Sequence, residues 1–131
     1  MKKRFNSRYT LRQGDIVLID YGRNDTKSRI SGKHPSVVVG NDCANGERMI
    51  NVVPLFRKAS RDIKAEDILL APKDCKGLRY EEYLQPKQVQ LVSKSRITRR
   101  IGCISNRKML ISVCKAICDV VAVPADEEVE Y

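Results

Sequence analysis

The chain has little that would place it in a membrane. Its longest apolar runs are about four residues, Ile16 to Ile19 and Val120 to Val123, against the ~20 needed to span a bilayer. No charged-then-apolar leader opens it, so a cytoplasmic location is expected. No basic amphipathic helix with a bulky apolar face is evident either, which argues against an anionic membrane surface as partner. Metal chemistry is equally short of parts. There is one histidine, His34, no CxxC pair and no paired carboxylates, so neither a zinc site nor a catalytic Mg²⁺ site is expected, and no cofactor is called for. Five cysteines (Cys43, Cys75, Cys103, Cys114, Cys118) without a leader read as reduced thiols rather than a disulfide framework. Cys114 and Cys118, one helical turn apart, read as small buried apolar residues. Internal repeats and low-complexity segments are absent.

What is present fits one domain of 131 residues, with 42% hydrophobic and 31% charged residues, enough for a modest core. The formal charge is +9, and it is unevenly spread. Asp126, Glu127, Glu128 and Glu130 crowd the end, so residues 1–125 carry all 25 basic residues against 12 acidic ones. A body that basic suits a polyanionic partner, nucleic acid first.

Residues 1–13 form a basic arm without an acidic residue. Gly14-Asp15 leads into a β-branched run, Ile16 to Tyr21, too short for a helix. A polar loop follows, carrying Arg23, Lys27, Arg29, Lys33 and His34 with Gly22 and Gly32 at its sides. Pro35 opens a second strand, Ser36 to Val39, and Asn41-Asp42 and Asn45-Gly46 mark turns before a third, Met49 to Leu55, in which Pro54 signals an edge or the strand's limit. Phe56 to Glu66 reads as basic and irregular, Ile68 to Ala71 as a strand, and Pro72 to Glu82 as loop. Tyr83 to Val92 reads as a strand interrupted by Pro86, Ser93 to Arg100 as a basic turn, and Ile101 to Ile104 as a short strand. Met109, Leu110, Val113, Ile117, Val120 and Val121 recur at helical spacing behind Ser105 as N-cap, and Pro124 ends that helix. The resulting organisation is an arm (1–13), a single domain (14–123) and an acidic tail (124–131). The fold class is mostly β: a small, strongly curved antiparallel barrel capped by a C-terminal helix.

The order of these pieces resembles the MazF/PemK (Kid-like) toxins of type II toxin–antitoxin modules. The matching segments are GDIVLIDYG, SGKHPSVVVGND, INVVPL, Lys87-Gln88-Val89, SKSRI with Arg96, and IGCIS followed by the helix. The resemblance implies an SH3-like barrel assembled as a homodimer. It also implies a ribosome-independent endoribonuclease that cuts single-stranded mRNA and is neutralised by a cognate antitoxin. In that family an arginine commonly precedes the proline that opens strand two, and a threonine or serine ends strand three; both are implicated in cleavage. Here those places hold His34 and Phe56, and Lys87 stands where a glutamate often precedes Gln88.

Metal-free cleavage of RNA needs a base for the 2′-OH, cations for the charge that builds on phosphate, and an acid for the leaving oxygen. Imidazole, with an ordinary pKa of about 6.5, suits the first or last task. Guanidinium suits the middle one. The candidate catalytic set is therefore His34 as acid/base with Arg29 and Arg57 at the phosphate. Lys27, Ser28, Gly32, Lys33, Phe56, Gln88 and Arg96 are candidate RNA-binding residues, Phe56 through base stacking. Two further readings stand beside this one. In the first, His34 is only a polar strand-start residue in a toxin-like module that binds RNA or an antitoxin without cutting. In the second, the chain is a basic SH3-like adaptor. Tyr80 and Tyr83 read as packing or loop anchors.

Overall fold

The β-branched runs form strands because their side chains pack well on a pleated, buried surface. The computed structural model describes residues 10–23, 30–60 and 62–122. Eight strands run in chain order: β1 Asp15–Asp20, β2 Lys33–Val38, β3 Met49–Arg57, β4 Ile68–Leu70, β5 Cys75–Lys76, β6 Glu82–Leu84, β7 Gln90–Ser93 and β8 Ile97–Ile104. A single helix, α1 Arg107–Val120, follows. All pairings are antiparallel, in the order β4-β6-β3-β2-β1-β8-β5, with β7 added beside β3. The sheet is barrel-like, and bulges between Ile16 and Val17 and between Leu18 and Ile19 bend β1 against β8.

Alternation along the strands sends successive side chains to opposite faces, and both faces are buried. One carries Ile16, Val37, Val53, Leu55, Leu70, Leu84 and Ile104, against which α1 seats Val113 with Met109, Leu110 and Ile117 beside it. The other carries Val17, Ile19, Val38, Ile50, Val52 and Ile97, with Leu11 from the arm and the half-buried Tyr21. Each fully buried aliphatic side chain contributes roughly 1.5–3 kcal/mol. Gly77 and Gly102 mark a backbone crossing: a Cβ on either would collide with a carbonyl, Ile101's or Lys76's respectively.

Several expectations need correcting. Strand two begins at Lys33, so His34 and Pro35 lie inside it. Pro54 does not limit strand three, which runs on to Arg57. The reason is a change of partner. The β2–β3 ladder stops at Ser36–Pro54, and beyond it β3 pairs with β6 at Leu55, Phe56 and Arg57. Pro35 and Pro54 both sit at that stop, each without the N–H that extends a ladder.

The expected strand from Tyr83 to Val92 is two strands, β6 and β7, divided by a 3₁₀ turn at Pro86–Gln88. From Leu55 back to Val52 β3 takes four residues while its partner takes seven, Leu84 to Gln90. The turn loops out the surplus. Half of the basic segment expected as a turn, residues 97–100, belongs to β8, whose Arg99 and Arg100 are exposed while Ile97 and Gly102 are buried. The loop expected over 72–82 contains β5. Asn106, not Ser105, caps α1: its Oδ1 accepts from the Lys108 and Met109 amides, while the Ser105 hydroxyl donates to the Asp74 carbonyl. All five cysteines are free, and Cys118 is exposed rather than buried. Residues 1–9 of the arm and the tail from 123 onward lie outside the described residues. No helix among the described residues is long and apolar enough to cross a membrane.

Candidate functional site

The stop in the β2–β3 ladder opens a groove of about 1090 Å³ between the two strand ends. Lys33, His34 and Pro35 line it from β2, Leu55, Phe56 and Arg57 from β3, and Arg99 and Ile101 from β8, with the segment from Gly77 to Tyr80 and Glu82 across from them. Four cations, Lys33, Arg57, Arg79 and Arg99, thus surround one carboxyl. That is an anion-attracting concavity.

The base of the basic loop is held by its glycines. Tyr21 N donates to the Gly32 carbonyl at 2.9 Å, and Gly32 N to the Gly22 carbonyl at 2.8 Å. Gly22 and Gly32 have φ of 80° and 78°, a region that side chains with a Cβ disfavour. Lys27, Ser28 and Arg29 lie outside the described residues. Arg96 is exposed and brings its guanidinium close to Gly22, where a Cβ would lie 3.3 Å from Nη1.

His34 sits in a row of rings. Its centroid lies 6.2 Å from Tyr21 and 5.3 Å from Phe56, and Phe56 lies 5.6 Å from Tyr83. The His34 Nε2 is 3.1 Å from the Ser31 carbonyl. With that nitrogen donating, Nδ1 keeps its lone pair. The Tyr21 hydroxyl and Ser36 Oγ are 2.5 Å apart, and Ser36 Oγ donates to the His34 carbonyl at 3.3 Å. Burial pushes the Tyr21 phenol up to about 12, the Ser36 hydrogen bond opposing.

Arg57 follows Phe56 in the same strand, so the two side chains leave on opposite faces of the sheet. The Arg57 guanidinium lies over the Tyr80 ring, 3.9 Å from its centroid. The expected trio of His34, Arg29 and Arg57 is therefore not a cluster on one face: His34 and Phe56 share a face, and Lys33 and Arg57 share the other. Both pairs reach the groove because β2 and β3 no longer pair with each other there. Gln88 does not line the groove. Its side chain donates to Gln85 Oε1 at 3.0 Å, in a turn packed against α1.

Four groove residues escaped the sequence reading: Arg79, Tyr80, Glu82 and Arg99. Tyr80 is 52% exposed, a ring presented to solvent rather than an anchor, whereas Tyr83, 3% exposed, is packing. Glu82 is buried, and that burial pushes its carboxyl above the ordinary glutamate range, with the charge of Arg57 opposing. Its position opposite Arg57 in β6 could not be read from RYEEYL, where three of six residues are charged. No group of three or more His, Cys, Asp or Glu side chains able to hold a metal occurs among the described residues.

The fold recurs in solved structures. MazF from Deinococcus radiodurans matches with a TM-score of 0.69 at 13% identity, over 86% of this chain and 97% of that one. An endoribonuclease from a mycobacterial species, in complex with its cognate antitoxin, matches at 0.65 and 16%, over 88% and 99%. Mycobacterium tuberculosis toxin MazF-mt6 matches at 0.61 and 13%, over 82% and 95%. No curated protein matched in sequence. A family model does match, over residues 12–121, nearly all of the described chain. The barrel, its groove and that match agree: the chain belongs to the PemK-like, MazF-like toxins of type II toxin–antitoxin systems.

Proposed function

We propose that this toxin is a metal-independent endoribonuclease that cuts single-stranded mRNA in the cytoplasm and is held in check by a cognate antitoxin. The observation that carries the reading is the cationic groove at the end of β2 that no longer pairs with β3, with His34 in it. The His34 Nδ1 takes the 2′-OH proton, the 2′-oxygen attacks the adjacent phosphorus, and the 5′-oxygen leaves with a proton. Products are a 2′,3′-cyclic phosphate and a 5′-hydroxyl. Lys33 and Arg57, with Arg29 from the loop, balance the charge that grows on the phosphate. Phe56 offers its ring for base stacking, and Lys27, Ser28, Gly32 and Arg96 shape the path of the strand at the loop. Assembly as a homodimer is part of this proposal.

One observation favours a second reading, a module that binds RNA or antitoxin without cutting. His34 is engaged on three sides, by Tyr21, Phe56 and the Ser31 carbonyl, as a purely structural ring would be. The two readings part on one experiment. Purified protein is incubated with a long single-stranded RNA in EDTA, beside the His34→Ala variant. Cyclic-phosphate fragments that disappear in the variant support the nuclease. Undiminished cutting by the variant sinks the role of His34, and salt-sensitive binding without fragments supports the module.

A further inference from the structure

Glu82 has no evident structural task. It is 6% exposed, yet it lines the groove. Burial and the charge of Arg57 account for its altered acidity, with no hydrogen bond among the causes. A buried carboxyl whose altered acidity owes nothing to a hydrogen bond among the described residues is costly unless something else supplies a donor.

Its neighbours suit a nucleobase. Leu55, Leu78 and Ile101 give the groove apolar walls, which accept the flat face of a base. Tyr80 offers an exposed ring on the same rim, backed by the Arg57 guanidinium. Extending the β2–β3 register sets Lys33 opposite Arg57, and Arg57 pairs with Glu82. The row therefore reads cation, cation, carboxyl on one face, with β3 and β6 about 4.8 Å apart and the groove between β2 and β3. A phosphate held between Lys33 and Arg57 leaves its own base one strand further along, at Glu82.

An ionised carboxyl only accepts hydrogen bonds, through two oxygens side by side. Guanine alone among the RNA bases offers two adjacent N–H donors, at N1 and N2. In adenine and cytosine the amino group neighbours a ring acceptor that a carboxylate repels, and in uracil N3–H lies between two carbonyls. We infer that Glu82 and Tyr80 form a guanine subsite of the groove, the Glu82 carboxylate receiving N1–H and N2–H while the Tyr80 ring stacks on the base. The inference rests on the RNA-cleaving reading and names the base that its groove selects. Protonation of Glu82 turns an acceptor into a donor, so guanine selection weakens as pH falls through the raised carboxyl pKa.

The test uses the full chain with His34→Ala, which holds RNA uncut, and short single-stranded RNAs differing in one base. Fluorescence anisotropy compares guanosine with inosine, which lacks the N2 amino group, and with adenosine. The expected order is guanosine over both, by roughly tenfold or more, the scale of a two-point contact to a base edge. Adding Glu82→Gln should collapse that difference while leaving the weaker binding of adenosine RNA in place. Guanosine and inosine bound alike by the protein with Glu82 intact overturns the subsite, whether or not the Gln variant folds. In the cutting protein, Glu82→Gln should redistribute the cut sites found by sequencing fragment ends. Loss of all cutting with an unchanged base preference and a lost limb of the pH–rate profile would instead make Glu82 a proton carrier and overturn the inference. Failure of the intact protein to bind any RNA removes the functional reading itself; binding without base preference removes only the subsite.

Discussion

The rings of His34 and Phe56 meet at 5.3 Å and 58°, across the gap where β2 and β3 no longer pair. An imidazole and a phenyl ring therefore hold each other where the backbone does not. A double-mutant cycle measures the contact. His34→Ala and Phe56→Leu, singly and together, should show a coupling of about 0.5–1.5 kcal/mol in urea unfolding. Phe56→Leu should also cut RNA affinity severalfold and slow cleavage. Additive melts with unchanged cleavage would mean that neither ring orients the other.

Salt titration reads the groove cations. Binding of single-stranded RNA should weaken linearly in log–log form, by about 0.7 per phosphate contact. Replacing Lys33, Arg79 or Arg99 by alanine should each lower that slope by about 0.7 if the residue touches phosphate. A substitution that lowers affinity at every salt concentration without changing the slope would place its residue away from the backbone.

Alkaline pH should weaken the fold in two stages. Cys75 and Tyr21 both have folded pKa values of about 12, against ordinary values of 9.0 and 10.0. Burial is the leading cause in each case; for Cys75 the nearby Asp74, Cys103 and Glu82 add to it. Each group stabilises fully below its ordinary pKa, because the unfolded chain then gains nothing by releasing the proton. Between that value and about 12 the unfolded chain ionises and the folded one does not, so stability falls as pH rises. Cys75→Ala should flatten the loss that starts near pH 9, and Tyr21→Phe the part that starts near pH 10, both read from denaturant melts against pH.

Asn106 secures α1 twice, capping two amides and donating Nδ2–H to Asp74 Oδ1 at 3.1 Å. Asn106→Ala should cost about 1–2 kcal/mol, and Asn106→Asp less, since it keeps the cap while facing a like charge. A neutral alanine variant in thermal melts would show that the helix end is secured by packing alone.

Much of this fold could be read from its residues. The runs IVLID and MINVVPL announce β1 and β3 because they are β-branched and bounded by turn residues. The helical recurrence of Met109, Leu110, Val113 and Ile117 announces α1. The remainder failed for identifiable reasons. β5 is two residues long, and Thr98, Arg99 and Arg100 look like a turn because one face of β8 meets solvent. Pro54 looks like an end because its pairing changes side there, which only the partner strand reveals. At the site, the glycines around the basic loop and the place of His34 were legible. Glu82 was not: nothing local marks which glutamate of a charged run is buried, and its place between Arg57 of β3 and Leu70 of β4 is set by strands from elsewhere in the chain.

The three surplus residues at Pro86–Gln88 act as slack in an otherwise taut ladder. α1 rests on that slack, whereas Glu82 lies on the taut side, fixed by the Tyr83–Phe56 and Leu84–Leu55 pairs. Pressure on the helix from outside, whatever applies it, thus meets the part of the sheet that gives. The groove floor nevertheless shares a core with the helix, Leu55 and Leu78 packing in one cluster with Val113, so what docks on the helix and what the groove reads are linked through that core.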